Sequence, residues 1–376
     1  MQRSDGDPAS DSKDFGAIER RSIEHPDALH DATAADFAIA FQYHCRRCPG
    51  SPGLCVIGTF VPSSSRVMTA GKSHWVVREE AVMGTAVRVE LAHDDPRVGA
   101  SAAEAVIQEM RRVEGAMSPY KPESELSRIN REAGRAAVPI SRELFDLIRR
   151  SIDFSQWSGG AFDITFAAVG RFYDYRNRVR PSDAQVARAL AAFDYRHLLL
   201  DAGCRTIRFA HPEVQIDLGG IAKGHAVDNC VRLLQSRGVR AAMVSAGGDS
   251  RVFGSRDGRP WIIGVRDPRR PDGMIARLPL IDAAISTSGD YERYFEEDGV
   301  RHHHILDPAT GKSAAGVRAA TIVGPDATTT EGVSKTVFVK GVHAGLKLVD
   351  SLPGVDAVVV DAGGRMFYSN GLRNGR

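Results

Sequence analysis

The stretch VQIDLGGIAKGHAVD, from Val214 to Asp228, gathers one carboxylate, several glycines and one lysine: Asp217, Gly219, Gly220, Lys223 and Gly224. Val214 and Ile216 alternate with polar neighbours, as in a half-buried strand that ends at Asp217. Val227, Val231 and Leu234 then recur at helical spacing, and Gly238 marks a stop. Strand, glycine turn and helix in that order make a candidate phosphate site. Glycine admits a ligand close to the backbone, a helix N-terminus favours negative charge, and Lys223 adds a cation. The same residues would also make a plain strand-to-helix connection with a surface lysine. Further on, His302, His303 and His304 precede Ile305, Leu306 and Asp307. Imidazole takes or relays a hydroxyl proton near neutral pH. Consecutive strand residues face opposite ways, so the three do not converge on one ion. Glu331 and Lys335 stand four apart and are neighbours on a helix, able to pair.

These groups need elements to hold them. Trp75 to Val77 and Ala86 to Leu91 read as paired strands flanking a turn at Met83 and Gly84. Helical spacing follows from Ser101 through Met117, where Gly115 loosens the end. A second helix starts at Ser141. A third starts at Ser182, whose pairing with Gln185 makes a capping box. Short strands are expected at Ala241–Val244, Arg251–Phe253, Trp261–Val265, Arg277–Leu280, Ala320–Val323 and Ala357–Val360, with a helix from Thr328 to Val339. Strands run consecutively between helices, so the fold class is α+β with mainly antiparallel sheet.

Several blocks resemble, in order, the signatures of the ApbE family, the FAD:protein FMN transferases. DLGGIAKGHAVD is similar to one of them. The others are MGT at Met83, MSPYKPESELSRIN from Met117, AFDIT from Ala161, SAGGD from Ser245, ISTSGDYERY from Ile285 and HILDPATGK from His304. The resemblance covers about Ala81 to Gly341. It implies two α+β lobes with the flavin in a cleft between them. It implies transfer of FMN from FAD to a Thr or Ser hydroxyl of an acceptor flavoprotein, with release of AMP. An FAD-binding protein without transfer, and an FAD pyrophosphatase, are the alternatives. By match of motif, Met83, Tyr120, Ala161, Phe162, Asp163, Asp217, Lys223 and Thr287 would contact FAD. His304 would be catalytic, with His302 and His303 as bystanders. Asp307 would orient His304 or shape the Pro308–Gly311 turn. A magnesium ion would sit at Gly220 and at the positions of Glu331 and Lys335. There the chain departs from the family, which has Asp and Thr in their place. A protonated lysine cannot ligate a cation. The pair then reads as a surface ion pair, as an ammonium lending its charge to the pyrophosphate, or as a site that binds FAD and transfers poorly.

With 376 residues, a net charge of +2 and 43% hydrophobic residues, the composition is that of a globular protein and points to neither nucleic acid nor an anionic membrane. No apolar run is long enough to span a bilayer. Residues 1–75 read as a poorly ordered leader before a domain at 76–370. Cys45, Cys48 and Cys55 with His44 are read as unpaired thiols in that leader, since a fourth zinc ligand at paired spacing is missing. Cys204 and Cys230 read as small apolar fillers. Residues 1–35 lack the apolar core of a secretory signal, so a cytoplasmic location is expected; the family's frequent export makes a periplasmic or inner-membrane-associated one the alternative.

Overall fold

The turn at Met83 and Gly84 shows how the local sequence shapes the sheet. Both residues adopt positive φ, 57° and 69°, so the strands on either side fold back tightly. Strand β2 (Ser73–Val82) pairs antiparallel with β3 (Thr85–His93), Val82 opposite Thr85. The structure, a computed structural model, describes residues 67–70, 73–270 and 272–373. The cysteine cluster and most of the expected leader lie outside the described residues. The sheet itself begins inside that leader, because β1 (Val67–Ala70) pairs with the first residues of β2.

Beyond β3 come β4 (Ala241–Ala246), β5 (Asp249–Phe253), β6 (Ala283–Gly289), β7 (Val317–Gly324), β8 (Asp356–Asp361) and β9 (Met366–Tyr368). Together they form a nine-stranded sheet whose spatial order is the chain order. Every neighbouring pair in it is antiparallel. The α+β, antiparallel expectation therefore holds. The predicted strands at Trp261 and Arg277 form a separate pair, Trp261–Arg266 with Met274–Leu280. The histidine strand, Val300–His303, pairs with Tyr294–Glu297.

Most helices enter between β3 and β4. Helix α1 (Pro96–Met117) starts at Asp95, whose carboxylate accepts the Arg97 amide at 2.7 Å, with Pro96 at its first position. Its buried stripe includes Ala103, Val106, Ile107, Met110 and Val113, at helical spacing. The helix runs through Gly115 without a break. Helix α2 (Glu125–Glu132) was not foreseen; α3 (Arg142–Trp157) was, with Ser141 as its cap. After the short α4 (Ala167–Gly170), α5 (Asp183–Leu190) carries the expected capping box. Helix α6 (Ala222–Ser236) follows the glycine turn. Helix α7 (Ala327–Lys340) packs on β6, β7 and α6, and α8 (Val342–Val349) follows at once.

The central stretch differs from expectation in one respect. Val214 and Ile216 are fully buried, yet the segment joins no sheet. The Asn130 side chain takes the place of a neighbouring strand. Its Oδ1 accepts the Ile216 amide at 2.8 Å and its Nδ2 donates to the Ile216 carbonyl at 2.9 Å. The Asp217 amide donates to the Ile164 carbonyl at 2.9 Å. Buried backbone polar groups need partners, and here a side chain and a loop supply them.

Candidate active site

Eleven of the thirteen residues singled out from the sequence line one cleft of about 1260 Å³. They are Met83, Tyr120, Ala161, Phe162, Asp163, Asp217, Gly220, Lys223, Thr287, His304 and Lys335. The volume exceeds the ~300–1,000 Å³ of ordinary small-molecule sites and suits an extended ligand. Asp307 and Glu331 stand outside the lining.

At one wall the Met83 amide donates to Glu114 Oε1 at 2.9 Å, which fixes the β2–β3 turn against α1. Tyr120 is 80% exposed, so its ring is free to meet a ligand rather than being core. Phe162, by contrast, is buried; its ring tilts against Phe154 at 5.7 Å and covers Gly220. Asp163 caps the following turn, accepting from the Thr165 amide at 2.8 Å, the Thr165 hydroxyl at 2.7 Å and the Tyr195 amide at 2.8 Å. Burial pushes its pKa up to about 6 in spite of these bonds. Its three acceptor contacts are those of a loop-holding carboxylate. Thr287 is tied through its hydroxyl to Thr321 at 2.9 Å.

Asp217 turns back on its own loop and accepts the Gly219 amide at 2.6 Å. Burial raises its pKa, and that amide and the nearby cations oppose the rise. The N-terminus of α6 does face the cleft, through Gly219, Gly220, Ala222 and Lys223. Its Gly224 amide, however, already has an anion: Glu331 Oε2 accepts it at 2.7 Å. The other oxygen of Glu331 accepts from Lys223 Nζ, which also pairs with Asp249 Oδ2 at 2.7 Å. Burial alone would lower the Lys223 pKa, but Asp249 and Glu331 outweigh it and hold the group above the ordinary lysine value. Burial, with Asp249 beside it, raises the Glu331 carboxyl against the pull of Lys223.

The surface-pair reading of Glu331 and Lys335 is therefore corrected. Glu331 has no exposed surface and bonds across to α6, not along its own helix. Lys335 Nζ donates instead to Ser288 Oγ at 2.8 Å. Lys223 is likewise no ordinary surface lysine. The donor set does not suit magnesium. The Glu331 carboxylate is spent on Lys223 and Gly224, and an ammonium stands where a hydroxyl ligand was implied. Among the described residues no three His, Cys, Asp or Glu side chains are placed to share an ion.

His302 and His303 end the Val300–His303 strand, and His304 stands just beyond it. His303 is buried, its Nε2 at 2.9 Å from the Ala314 carbonyl and its ring edge-on to Phe338. His302 lies against Phe295, and His304 lines the cleft. The His304 amide donates to the Arg293 carbonyl at 3.2 Å, while its buried Nδ1 has no hydrogen-bond partner among the described residues. Burial, then the charge of Lys335, hold its pKa well below the ordinary histidine value, so the imidazole is neutral at pH 7. Asp307 accepts the Ala309 amide at 2.9 Å and its carbonyl accepts from Thr310 and Gly311. Its hydrogen bonds serve the turn.

Sequence reasoning passed over Asn130, Asp249, Ser288 and Arg293, all of which line the cleft. Each lies inside a block already quoted, so the signal was present. Tyr173 and Tyr175 were also missed; they line the cleft stacked at 5.5 Å with planes 6° apart.

The chain matches the ApbE family over residues 83–359. A protein of Treponema pallidum named FAD:protein FMN transferase is 33% identical over 314 residues, 78% of this chain and 87% of its own. One of the same name from Vibrio cholerae is 31% identical over 273 residues, 70% of this chain and 81% of its own. Among solved structures, the ApbE protein of Thermotoga maritima superposes with a TM-score of 0.74 at 35% identity, covering 80% of this chain and 98% of its own. The flavin transferase ApbE of Vibrio cholerae gives 0.72 at 27% identity, with 80% and 99% covered. By sequence and by fold, this chain belongs to the ApbE family.

Proposed function

We propose that this protein is an FAD:protein FMN transferase: it moves FMN from FAD to a Thr or Ser hydroxyl of an acceptor flavoprotein and releases AMP. The observation that carries the reading is the convergence of separate sequence blocks on one cleft, in a chain whose relatives bear that name. In the step, the acceptor oxygen forms a bond to the phosphorus of the FMN half. The bond from that phosphorus to the bridging oxygen breaks, and AMP leaves with the electron pair. His304, neutral and facing the cleft, takes the hydroxyl proton. Tyr120 and the stacked Tyr173 and Tyr175 offer ring faces to the flavin and adenine, and the buried Phe162 backs the wall behind Gly220. Lys223 is locked by two carboxylates and orients the floor. Magnesium, when bound in a phosphoryl transferase, supplies charge neutralisation; the residues here do not provide its ligand set.

The test is incubation of the full chain with FAD and an acceptor flavoprotein, read by in-gel flavin fluorescence. A fluorescent acceptor band is expected with the parent. With His304→Ala that band is lost while FAD still binds. FAD binding without any labelled band would favour a carrier, and release of free FMN and AMP without acceptor a pyrophosphatase. Transfer at the parent rate by His304→Ala would move the proton-accepting role elsewhere.

A further inference from the structure

Three lysines line the cleft, and they are differently employed; Lys121 pairs with Glu114 at 2.5 Å. Lys223 has two carboxylate partners, Asp249 and Glu331. Lys335 has one neutral partner, the Ser288 hydroxyl, itself tied to Ser334 Oγ at 2.7 Å. Among the described residues Lys335 forms no ion pair. An ammonium carries three donors, so most of its hydrogen-bonding capacity faces the cleft unused. Burial and the charge of Lys223 press its pKa below the ordinary lysine value, so the charged form gains from any anion that enters. Its stem is fixed: Lys335 Cγ lies 3.6 Å from where a Cβ on Gly220 would stand, at the turn into α6. Arg131, Arg171 and Arg293 also line the cleft without an ion pair among the described residues; Arg131 donates to the Pro122 carbonyl at 2.8 Å, Arg171 lies over the Phe172 ring, and the Arg293 guanidinium reaches the Gly84 turn.

We propose that Lys335 binds the diphosphate of FAD and supplies, from the protein itself, the positive charge that a divalent cation would otherwise bring to it. This rests on the FMN-transfer reading above. No bond to Lys335 forms or breaks; it donates hydrogen bonds to non-bridging phosphate oxygens, and stabilises the charge that passes to AMP. FAD binding by this protein is then independent of magnesium.

The full chain, stripped of metal with EDTA, is titrated with FAD and separately with riboflavin, which has no phosphate, following flavin fluorescence. Both titrations are repeated with magnesium in excess. The parent is expected to bind FAD equally in the two buffers. Lys335→Met should weaken FAD about tenfold or more, the scale of one charge-assisted hydrogen bond, and leave riboflavin unchanged. Lys335→Arg should recover much of the loss. Should Lys335→Met fail to fold by circular dichroism, Lys335→Gln carries the same expectation. A parent that binds FAD only with magnesium overturns the proposal. So does a folded neutral variant that binds FAD as the parent does. A folded parent that binds FAD in neither buffer instead overturns the FMN-transfer reading beneath it.

Discussion

Glu331 has both carboxylate oxygens engaged, one by the Lys223 ammonium and one by the Gly224 amide. A buried carboxylate is costly unless it is paired and hydrogen-bonded, and these two contacts meet that condition. They also withdraw from the cleft the anion-binding amide that a glycine turn before a helix suggests. His304 shows the converse, a polar group kept without a charge. Its protonation is opposed by burial and by Lys335, so the folded protein declines a proton that the unfolded chain accepts below about pH 6.5. The unfolded state then binds more protons, and stability falls as pH drops from there. The parent should therefore lose more unfolding free energy between pH 7 and pH 5 than His304→Gln does, as read by urea denaturation at each pH. Asp163, raised to about 6, acts in the opposite direction but equally in both proteins. Identical pH slopes would show that His304 titrates normally in the folded state.

Helices α6 and α7 cap one another. Asp228 on α6 accepts the Ala327 and Thr328 amides at 2.9 Å each, while Glu331 on α7 reaches the first turn of α6. Gly224 makes this closeness possible: a Cβ there would stand 2.3 Å from the Ala327 carbonyl oxygen. Gly224→Ala should gain ~1 kcal/mol of helix propensity and lose ~1–3 kcal/mol or more to overpacking, for a net loss of stability in denaturant unfolding. Gly115→Ala, in the open on α1 with nothing within 4 Å of the new methyl, should be neutral or stabilising by up to ~1 kcal/mol. Equal effects at the two sites would contradict the helix-contact account. Spacing could reveal that α6 follows a glycine turn, but not that Gly224 serves a second helix rather than a ligand. It likewise showed Val214 and Ile216 as alternating and buried, but not that Asn130, far away in sequence, replaces a strand. Strand β6 escaped notice because nearly all of it is buried and its residues are small, so no alternation marks it. Helix α7 is legible by length, though ten of its residues are buried and several hydroxyls bond inside it.

Across the molecule, the sheet keeps its strands in chain order while a long insertion of helices and a small three-stranded sheet separates β3 from β4. Residues as distant in sequence as Met83 and Lys335 thereby face one cleft. The blocks were readable one at a time; their convergence was not, because it depends on where the insertion lies against the sheet. Among the described residues no helix is long and apolar enough to cross a membrane. The central claim is that FAD is split across its pyrophosphate and that the FMN half passes to a protein hydroxyl. The most direct measurement supplies the full chain with FAD and an acceptor flavoprotein, then quantifies AMP alongside the intact mass of the acceptor. The account predicts AMP and FMN-modified acceptor in equal amounts. AMP accompanied by free FMN and an unmodified acceptor, or no AMP from FAD-saturated protein, would contradict it.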